Sequence, residues 1–373
     1  MRSSSAAAYS FSLGEASGLI PPAFTAAAGA ALAKAASRVR MIAATTPQNL
    51  GAELLRLEAT WGRERGGDAR FTYAAPGDYY EELIDGLSRA AEALEARGTL
   101  GEIYAARARE LALEARVCAS AGTAALREAA RRRYARRDAF DSAADALARE
   151  WLSEEEDPAE YERIASDDEG DPRSLVSEMR RAVGEWRLPL RVLIARDLAP
   201  LAATGDGFIQ VAAGRAVSLR DIARTVLHEI EGHAVPASRA RALPLSIFAV
   251  GTALGSDDQE GRALALERRG GFLDAGRRRE LALRHVTARA VEEGADFAEA
   301  ARTLVDLGVN LPSALRIAAR VCRGGGLARE AVYLPALLRV EAAIEADPDL
   351  EVVLSSGRVG VPAADALREW AGA

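Results

Sequence analysis

The stretch His228-Glu229-Ile230-Glu231-Gly232-His233 decides how this 373-residue chain is interpreted. It contains two of the three histidines of the chain, five residues apart, with a glutamate directly after the first. The preceding residues, 222–227, have a helical pattern, so a helix is expected to run into the stretch. Two imidazoles and a carboxylate on one helical segment indicate a metal site that includes its own base. The third histidine, His285, is expected to be a core or surface residue and not a ligand.

The spacing of the two histidines constrains the helix that carries them. The zincin motif is His-Glu-x-x-His, in which the histidines are four residues apart and share one helical face. Side chains five residues apart on an α-helix differ in direction by about 140°. His228 and His233 can therefore reach one ion only if a π-type bulge intervenes or the helix ends before His233. Gly232 and the nearby Pro236 favour such a distortion.

A tetrahedral site that keeps one position open for water needs a third protein ligand. The acidic candidates downstream are Asp257, Asp258, Glu260 and Glu267. Glu260 begins a predicted helix, and a carboxylate on a second helix packed against the first is the arrangement of the His₂Glu zinc enzymes. In such a site Glu229, next to the first histidine and directed elsewhere, is the expected general base.

Composition argues against several classes of protein. The net charge of −7 is unfavourable for a general nucleic-acid surface, and the sequence predicts no membrane span. Cys118 and Cys322 lie far apart and lack CxxC spacing, so they are expected to be buried apolar side chains in a reducing cytoplasm. Lys34 is the single lysine among 48 basic residues, as the codon bias of a GC-rich, bacterial-type genome produces.

The pattern of elements predicts an α+β fold that is predominantly α-helical, with a small β-sheet next to the metal-binding helix. Strands are expected at 189–194 and 207–211, and Ser218 is expected to cap the helix that enters the motif. The basic run 131–137 is interpreted as a solvated helix face. Helices are expected at 26–41, within 50–151, and at 246–254, 259–268, 277–293, 297–306, 312–321 and 334–345.

Shifts in composition divide the chain into five predicted regions. They are a partly disordered N-terminal lead-in (1–48), a helical region (49–152), an acidic loop or linker that includes Asp157 and Pro158 (153–173), the catalytic region (174–346) and a C-terminal extension (347–373).

An ordered series of short motifs resembles a known family. The series comprises the HExxxH stretch at 228–233, Leu243-Pro244-Leu245, Gly251-Thr252-Ala253-Leu254-Gly255, Gln259-Glu260-Gly261, Leu281-Ala282-Leu283-Arg284, Arg320-Val321-Cys322-Arg323-Gly324-Gly325 and Val332-Tyr333-Leu334. It resembles the bacterial QEGLA-motif proteins, whose eukaryotic relatives are the microtubule-associated tyrosine carboxypeptidases. Upstream, Ile209-Gln210-Val211 fits too, as more weakly do Thr46-Pro47-Gln48-Asn49 and Phe71-Thr72-Tyr73, so the resemblance covers roughly residues 46 to 345.

The resemblance implies a zinc metallopeptidase with a mostly helical, zincin-like core. It implies one Zn²⁺ ion held by His228, His233 and Glu260, with Glu229 as the catalytic base. The expected substrate is the C-terminus of a peptide or protein, and the oligomeric state stays open. The sequence departs from the family at Arg262, where leucine is usual, and at 327–330, where the family has Phe-Thr-Lys-Asp. Because the second change affects the expected substrate pocket, and because the composition is bacterial in type, tubulin is not inferred as the substrate.

A carboxypeptidase also needs a cation for the terminal carboxylate of its substrate. Arg323 is the candidate, since a guanidinium binds carboxylate bidentately and the three glycines that follow would let a peptide approach closely. Tyr333 is the candidate donor to the oxyanion that develops on the scissile carbonyl.

Two other classes of function are compatible with these residues. Two histidines and one carboxylate also form the facial triad of non-haem Fe(II) oxygenases, which would not need Glu229. A non-catalytic relative that binds peptides would keep the fold without the reaction, although the complete set of ligands and base argues against it. Metal analysis together with Glu229→Gln distinguishes the hydrolase from the oxygenase.

Overall fold

The computed structural model describes residues 19–62, 68–135, 139–155, 162–196, 198 and 200–372. Most of these residues are helical, and the strands form small sheets, so the predicted α+β, predominantly α-helical fold is confirmed. Within this part of the chain, no helix combines the length and apolar character that crossing a membrane requires.

Several of the helices before the first strand pack around one long helix, α5 (Gly98–Ser120). Their bounds are α1 (Ala23–Arg38), α2 (Met41–Thr45), α3 (Leu50–Thr60), α4 (Tyr80–Glu95), α5 (Gly98–Ser120), α6 (Leu126–Tyr134) and α7 (Ala139–Ser153). Leu32 of α1 is buried in the same hydrophobic core as Leu87 of α4 and Leu111 of α5. The predicted lead-in therefore includes a packed helix, while its residues 1–18 lie outside the described residues.

The strands lie in two small sheets between α7 and the metal motif. Their bounds, with that of the intervening helix, are β1 (Arg163–Ala165), α8 (Leu175–Glu185), β2 (Arg191–Ala195), β3 (Ala202–Thr204), β4 (Phe208–Ala212) and β5 (Ala216–Ser218). Among the described residues, one sheet has the order β2-β4-β3, with β2 parallel and β3 antiparallel to β4, and β1 pairs with β5 in the other. Both predicted strands are confirmed as β2 and β4.

The acidic stretch at 153–173 is more than a connection, because it contains β1. Ile164 of β1 pairs with Val217 of β5, and the side chain of Ser166 is buried and donates to the carbonyl of Ala212 at 2.5 Å. Asp157 and Pro158, which marked this stretch in the sequence, lie outside the described residues.

The remaining helices carry the metal motif or lie on either side of it in the sequence. They are α9 (Leu219–Leu227), a π-helix (His228–Ala234), α10 (Val235–Ala240), α11 (Ile247–Val250), α12 (Gly255–Arg269), α13 (Ala275–Glu293), α14 (Phe297–Asp306), α15 (Leu311–Val321), the turn α16 (Arg323–Gly326), a 3₁₀ helix (Arg329–Val332), α17 (Tyr333–Ala346), α18 (Leu350–Leu354) and α19 (Val361–Ala371). The predicted helices correspond to α12–α15 and α17 within a few residues, whereas the one at 246–254 is the short α11. Leu367 of α19 is buried in the core that contains α4 and α5, so this part of the C-terminal extension is also packed.

A buried cluster of charges joins the N-terminal helices to α12. Arg133 of α6 forms ion pairs with Asp257 of α12 at 3.0 Å and with Glu114 of α5 at 3.1 Å. Glu110 of α5 accepts a hydrogen bond at 2.9 Å from the backbone N–H of Leu254, the residue before α12. The start of α12 is therefore fixed by residues more than 100 positions earlier in the chain.

The interpretation of the basic run at 131–137 as a solvated face is wrong for Arg133. Arg131 and Arg132 are exposed, although Arg131 also donates to the carbonyl of Glu292 at 2.9 Å, whereas Arg133 is buried. Arg136 and Arg137 lie outside the described residues. A helix that carries three consecutive arginines directs them to different sides, so the run does not form one surface.

Three predictions about single residues in the core are confirmed. Cys118 and Cys322 are free and buried. His285 is buried, with its Nε2 2.7 Å from the Oδ1 of Asp145, and does not join the other two histidines.

Candidate metal centre

The helix that carries the motif changes its winding at the first histidine. Ser218 caps α9 as predicted, because its side-chain oxygen accepts the backbone N–H of Asp221 at 3.0 Å. From His228 the winding becomes that of a π-helix and stays so to Ala234. The ring centroids of His228 and His233 lie 5.0 Å apart. The predicted distortion is thus confirmed, in its π-type form, and it aligns two side chains that a regular α-helix would separate.

Two contacts between the π-helix and α12 accommodate the change in winding. A Cβ on Gly232 would lie 2.7 Å from the Cβ of Ala263, so glycine is what permits the close approach of the two helices. Arg262 donates from its Nη1 to the carbonyl of Glu231 inside the π-helix at 3.0 Å, and from its Nε to Glu351 at 3.0 Å. Arg262 therefore binds a backbone carbonyl of the π-helix.

Three donor atoms converge beside the π-helix. The Oε2 of Glu260 lies 3.5 Å from the Nε2 of His228 and 3.7 Å from the Nε2 of His233, and the three donor atoms all lie within 4.8 Å of one another. Ligand atoms about 2.0–2.2 Å from a tetrahedral ion are about 3.4 Å apart. The three side chains therefore fit around one metal ion of the size of Zn²⁺, and their nitrogen and carboxylate donors suit that metal.

The other acidic candidates for the third ligand have different partners. Asp257 is paired with Arg133, and Asp258 accepts from the Nε of Arg339 at 2.9 Å. Glu267 contacts His228, but at the ring nitrogen that faces away from Glu260. Among the four candidates, Glu260 is the one that meets both histidines.

Glu267 contacts His228 at Nδ1, the ring nitrogen on the side away from Glu260. Its Oε1 lies 2.7 Å from the Nδ1 of His228, and the guanidinium of Arg277 lies 2.9 Å from its Oε2. Burial raises the pKa of Glu267, but Arg277 and the hydrogen bond with His228 outweigh burial and lower it to about 2. An ionised carboxylate at Nδ1 holds the proton there and leaves the lone pair of Nε2 for a metal, as in many metal sites.

The charges around His228 favour a cation at the point where the donors converge. Burial lowers the pKa of His228, but its hydrogen bonds with Glu260 and Glu267 raise it to about 10. Burial also raises the pKa of Glu260, while His228, His233 and Arg329 together bring it well below the ordinary value. The site thus stabilises positive charge between the carboxylates of Glu260 and Glu267, and a divalent cation would supply that charge.

Glu229 is held apart from the three converging donors by strand β3. Its Oε2 accepts hydrogen bonds from the backbone N–H of Thr204 at 2.9 Å and from the Oγ1 of the same threonine at 2.7 Å. The Glu229 side chain is largely buried. Two donors on one oxygen fix the carboxylate and leave its Oε1 without a donor among the described residues.

The sequence-predicted arginine does not reach the three donors, but another arginine does. Arg323 donates from its Nε to the carbonyl of Arg320 at 3.2 Å, and its Nη2 lies 3.9 Å from Glu330. The Nη2 of Arg329 lies 3.5 Å from the Oε1 of Glu260. Arg329 lies in the stretch 327–330 that departs from the resembled motif, but no spacing in the sequence relates it to Glu260.

The glycines after Arg323 have a structural explanation. Gly324, Gly325 and Gly326 all have positive φ angles, which favour glycine. A Cβ on Gly324 would lie 2.8 Å from Leu126 of α6, so this glycine is packed against a helix. Gly324 and Gly326 are buried and Gly325 is exposed, so packing accounts for two of the three glycines without a substrate.

Tyr333 begins α17 and is buried close to the charged groups of the site. Burial, and then the negative charges of Glu260 and Glu330, raise its pKa. The phenol therefore stays protonated and able to donate a hydrogen bond. A Cβ on Gly261 would lie 2.4 Å from the backbone of Ala336, so α12 and α17 are in direct contact and bring Glu260 and Tyr333 to the same site.

A comparison with protein families agrees with this arrangement. The family model described as "Microtubule-associated tyrosine carboxypeptidase" matches residues 69–372. Neither the curated proteins nor the solved structures gave a match. The matched region extends beyond residue 345, where the resemblance of the motifs ended, and includes the packed helices α18 and α19. Because the match covers most of its length, the chain belongs to the microtubule-associated tyrosine carboxypeptidase family.

Proposed function

We propose that this protein is a zinc-dependent metallopeptidase that acts as a carboxypeptidase on the C-terminus of a peptide or protein. The observation that supports the proposal most directly is the convergence of His228, His233 and Glu260 with Glu229 fixed separately beside them. Membership in a family described as carboxypeptidases supports the reaction class. The free, buried Cys118 is in keeping with a reducing compartment such as the cytoplasm.

His228, His233 and Glu260 would hold the zinc ion. A zinc ion at this position supplies Lewis acidity toward the scissile carbonyl and toward water. Glu229 accepts a proton from the attacking water at the carboxylate oxygen that Thr204 leaves free, and then passes that proton to the leaving amine. Thr204 keeps the carboxylate in one orientation during both transfers.

Tyr333 and Glu267 have supporting roles in this mechanism. Tyr333 remains protonated at neutral pH and donates a hydrogen bond to the oxyanion as it develops. Glu267, which is held by Arg277, fixes the tautomer and the orientation of His228. The contact with Glu267 keeps the Nε2 of His228 directed at the metal position through each turnover.

The substrate's terminal carboxylate would enter on the side of the arginines. Three guanidinium groups lie around one buried carboxylate, Glu330, at 3.5 Å for Arg284, 2.9 Å for Arg320 and 3.9 Å for Arg323. The guanidinium of Arg329 lies 3.5 Å from Glu260, so positive charge is concentrated on this side of the site. A free C-terminus is the part of a peptide that such a surface attracts.

Zinc loading combined with one substitution tests the proposal. We expect the purified protein to bind about one zinc ion and to lose its peptidase activity when a chelator removes the ion. Glu229→Gln should keep the zinc but reduce kcat by about 10²- to 10⁴-fold, because the amide cannot accept the proton. Full activity of Glu229→Gln, or oxygen-dependent activity with bound iron, would support the oxygenase alternative instead.

A further inference from the structure

Arg329 is positioned by an unusual backbone. It begins the 3₁₀ helix directly after Ala328, whose φ angle of 52° lies in the left-handed region that alanine rarely adopts. The strained residue is held by hydrogen bonds from its own N–H to the carbonyl of Val321 at 3.0 Å and from the N–H of Ala331 to its carbonyl at 3.1 Å. Such strain persists where the surrounding structure fixes it, and it occurs often at binding sites.

The guanidinium of Arg329 has unused donors. Its contact with Glu260, at 3.5 Å, is the one polar contact that this side chain makes with the described residues. A guanidinium has five N–H donors, so most of its capacity is open. By contrast, Arg320 is paired with Glu330 at 2.9 Å and Arg323 donates to a backbone carbonyl. Arg329 is thus the arginine beside the three donors that can receive an anion.

The charge of Arg329 lies next to the carboxylate of Glu260, whose Oε1 is 3.5 Å from the Nη2 of the guanidinium. A cation held between His228, His233 and Glu260 would neutralise Glu260 and weaken its hold on Arg329. The positive charge of Arg329 would then be available to a second carboxylate.

We propose that Arg329 binds the α-carboxylate of the substrate's C-terminal residue and so makes this site an exopeptidase site. This inference rests on the proposed peptidase function and replaces Arg323 as the anchor for the carboxylate. A planar guanidinium can bind a carboxylate through two parallel hydrogen bonds, whereas an amide terminus offers no negative charge. The preference for a free acid over an amide should therefore depend on Arg329.

The test measures equilibrium binding to the zinc-loaded, inactive Glu229→Gln protein. Two peptides of the same sequence are compared, one ending in a free carboxylate and the other in a carboxamide. We expect the acid to bind about 10- to 100-fold more tightly, the range for hydrogen bonds to charged groups. Adding Arg329→Gln should remove this preference, and adding Arg329→Lys should retain part of it because lysine keeps the charge but not the bidentate geometry.

Arg316→Gln, in the exposed face of α15, is the matched control and should leave the preference unchanged. Zinc content is measured for every variant, so that a loss of metal is not mistaken for a loss of the anchor. An unchanged acid preference in zinc-loaded Arg329→Gln would overturn the inference, as would a preference that disappears with Arg323→Gln instead. Failure of the peptidase proposal is detected separately, as an inactive zinc-loaded protein with the native Glu229.

Discussion

His228 and His233 are five residues apart in sequence, yet their ring centroids lie 5.0 Å apart, because the segment between them is π-helical. The extra residue relative to a zincin helix is absorbed by the wider winding, and both Nε2 atoms face Glu260. The site therefore depends on the features of neighbouring helices that tolerate a π-helix, above all the close contact at Gly232.

Gly232→Ala should damage both the fold and the site. Its Cβ would lie 2.7 Å from the Cβ of Ala263, and two helices in close contact cannot separate without moving His233 and Glu260 apart. We expect a loss of about 1–3 kcal/mol in the free energy of unfolding, the usual range for overpacking, together with weaker zinc binding. Urea unfolding and zinc titration measure the two effects.

Gly51→Ala is the control for this substitution. Gly51 lies in α3, and an added Cβ would meet no atom within 4 Å. Alanine is the better helix former, so this variant should be more stable by about 0.5–1 kcal/mol and bind zinc normally. Equal stability of Gly232→Ala and the unsubstituted protein would show that the helix contact is not essential to the π-helix.

Glu267→Gln should weaken zinc binding without removing a ligand. The amide loses the charge that holds the Nδ1 proton of His228, and substitutions of this kind usually cost 10- to 100-fold in metal affinity. Competition with a chelator of known affinity measures the change. Glu128→Gln removes a charge from the exposed surface of α6 and should have no effect. Unaltered affinity in Glu267→Gln would contradict the role given to this carboxylate.

Thr204→Val should lower kcat about tenfold while KM and zinc content stay the same. Valine removes the Oγ1 donor to Glu229 but keeps the backbone N–H and the β-branched shape, and one hydrogen bond to a charged group accounts for a change of this size. Thr204→Ser restores the hydroxyl and should recover most of the activity. A serine variant as slow as the valine variant would show that packing of β3, and not the hydrogen bond, matters.

The sequence predicted those features that depend on spacing within one element. The distortion before His233 followed from the angular geometry of a helix, and Ser218 was recognisable as a cap. Glu267 was considered as a ligand, although its position seven residues after Glu260 on the same helix placed both on one face and could have indicated a supporting role.

Features that depend on contacts between distant elements were not predictable. Thr204 lies in β3, a strand of three residues, which is too short to have a recognisable alternation. The Nη2 of Arg329 lies 3.5 Å from the Oε1 of Glu260, which is 69 positions earlier in the chain. No pattern within one element of the sequence predicts that proximity. Arg323 was chosen for the glycines beside it, whose positive φ angles and packing explain them without a substrate.

Arg133→Met should destabilise the whole chain. Removing Arg133 from a buried ion-pair cluster takes away the guanidinium 3.0 Å from Asp257 and one of the two that pair with Glu114, and loss of a buried partner usually costs about 3–5 kcal/mol. Arg132→Met is the matched control one residue earlier, where an exposed pair with Glu128 contributes less than about 1 kcal/mol. Chemical denaturation compares the two variants. Similar losses in both would argue against the cluster as the link between α6 and α12.

The most direct test of the central claim is mass spectrometry of a peptide library with varied C-termini, after incubation with the zinc-loaded protein. We expect products shortened by single C-terminal residues, which form with the native chain and not with Glu229→Gln. Products cut at internal bonds, or equal products from the two proteins, would contradict it.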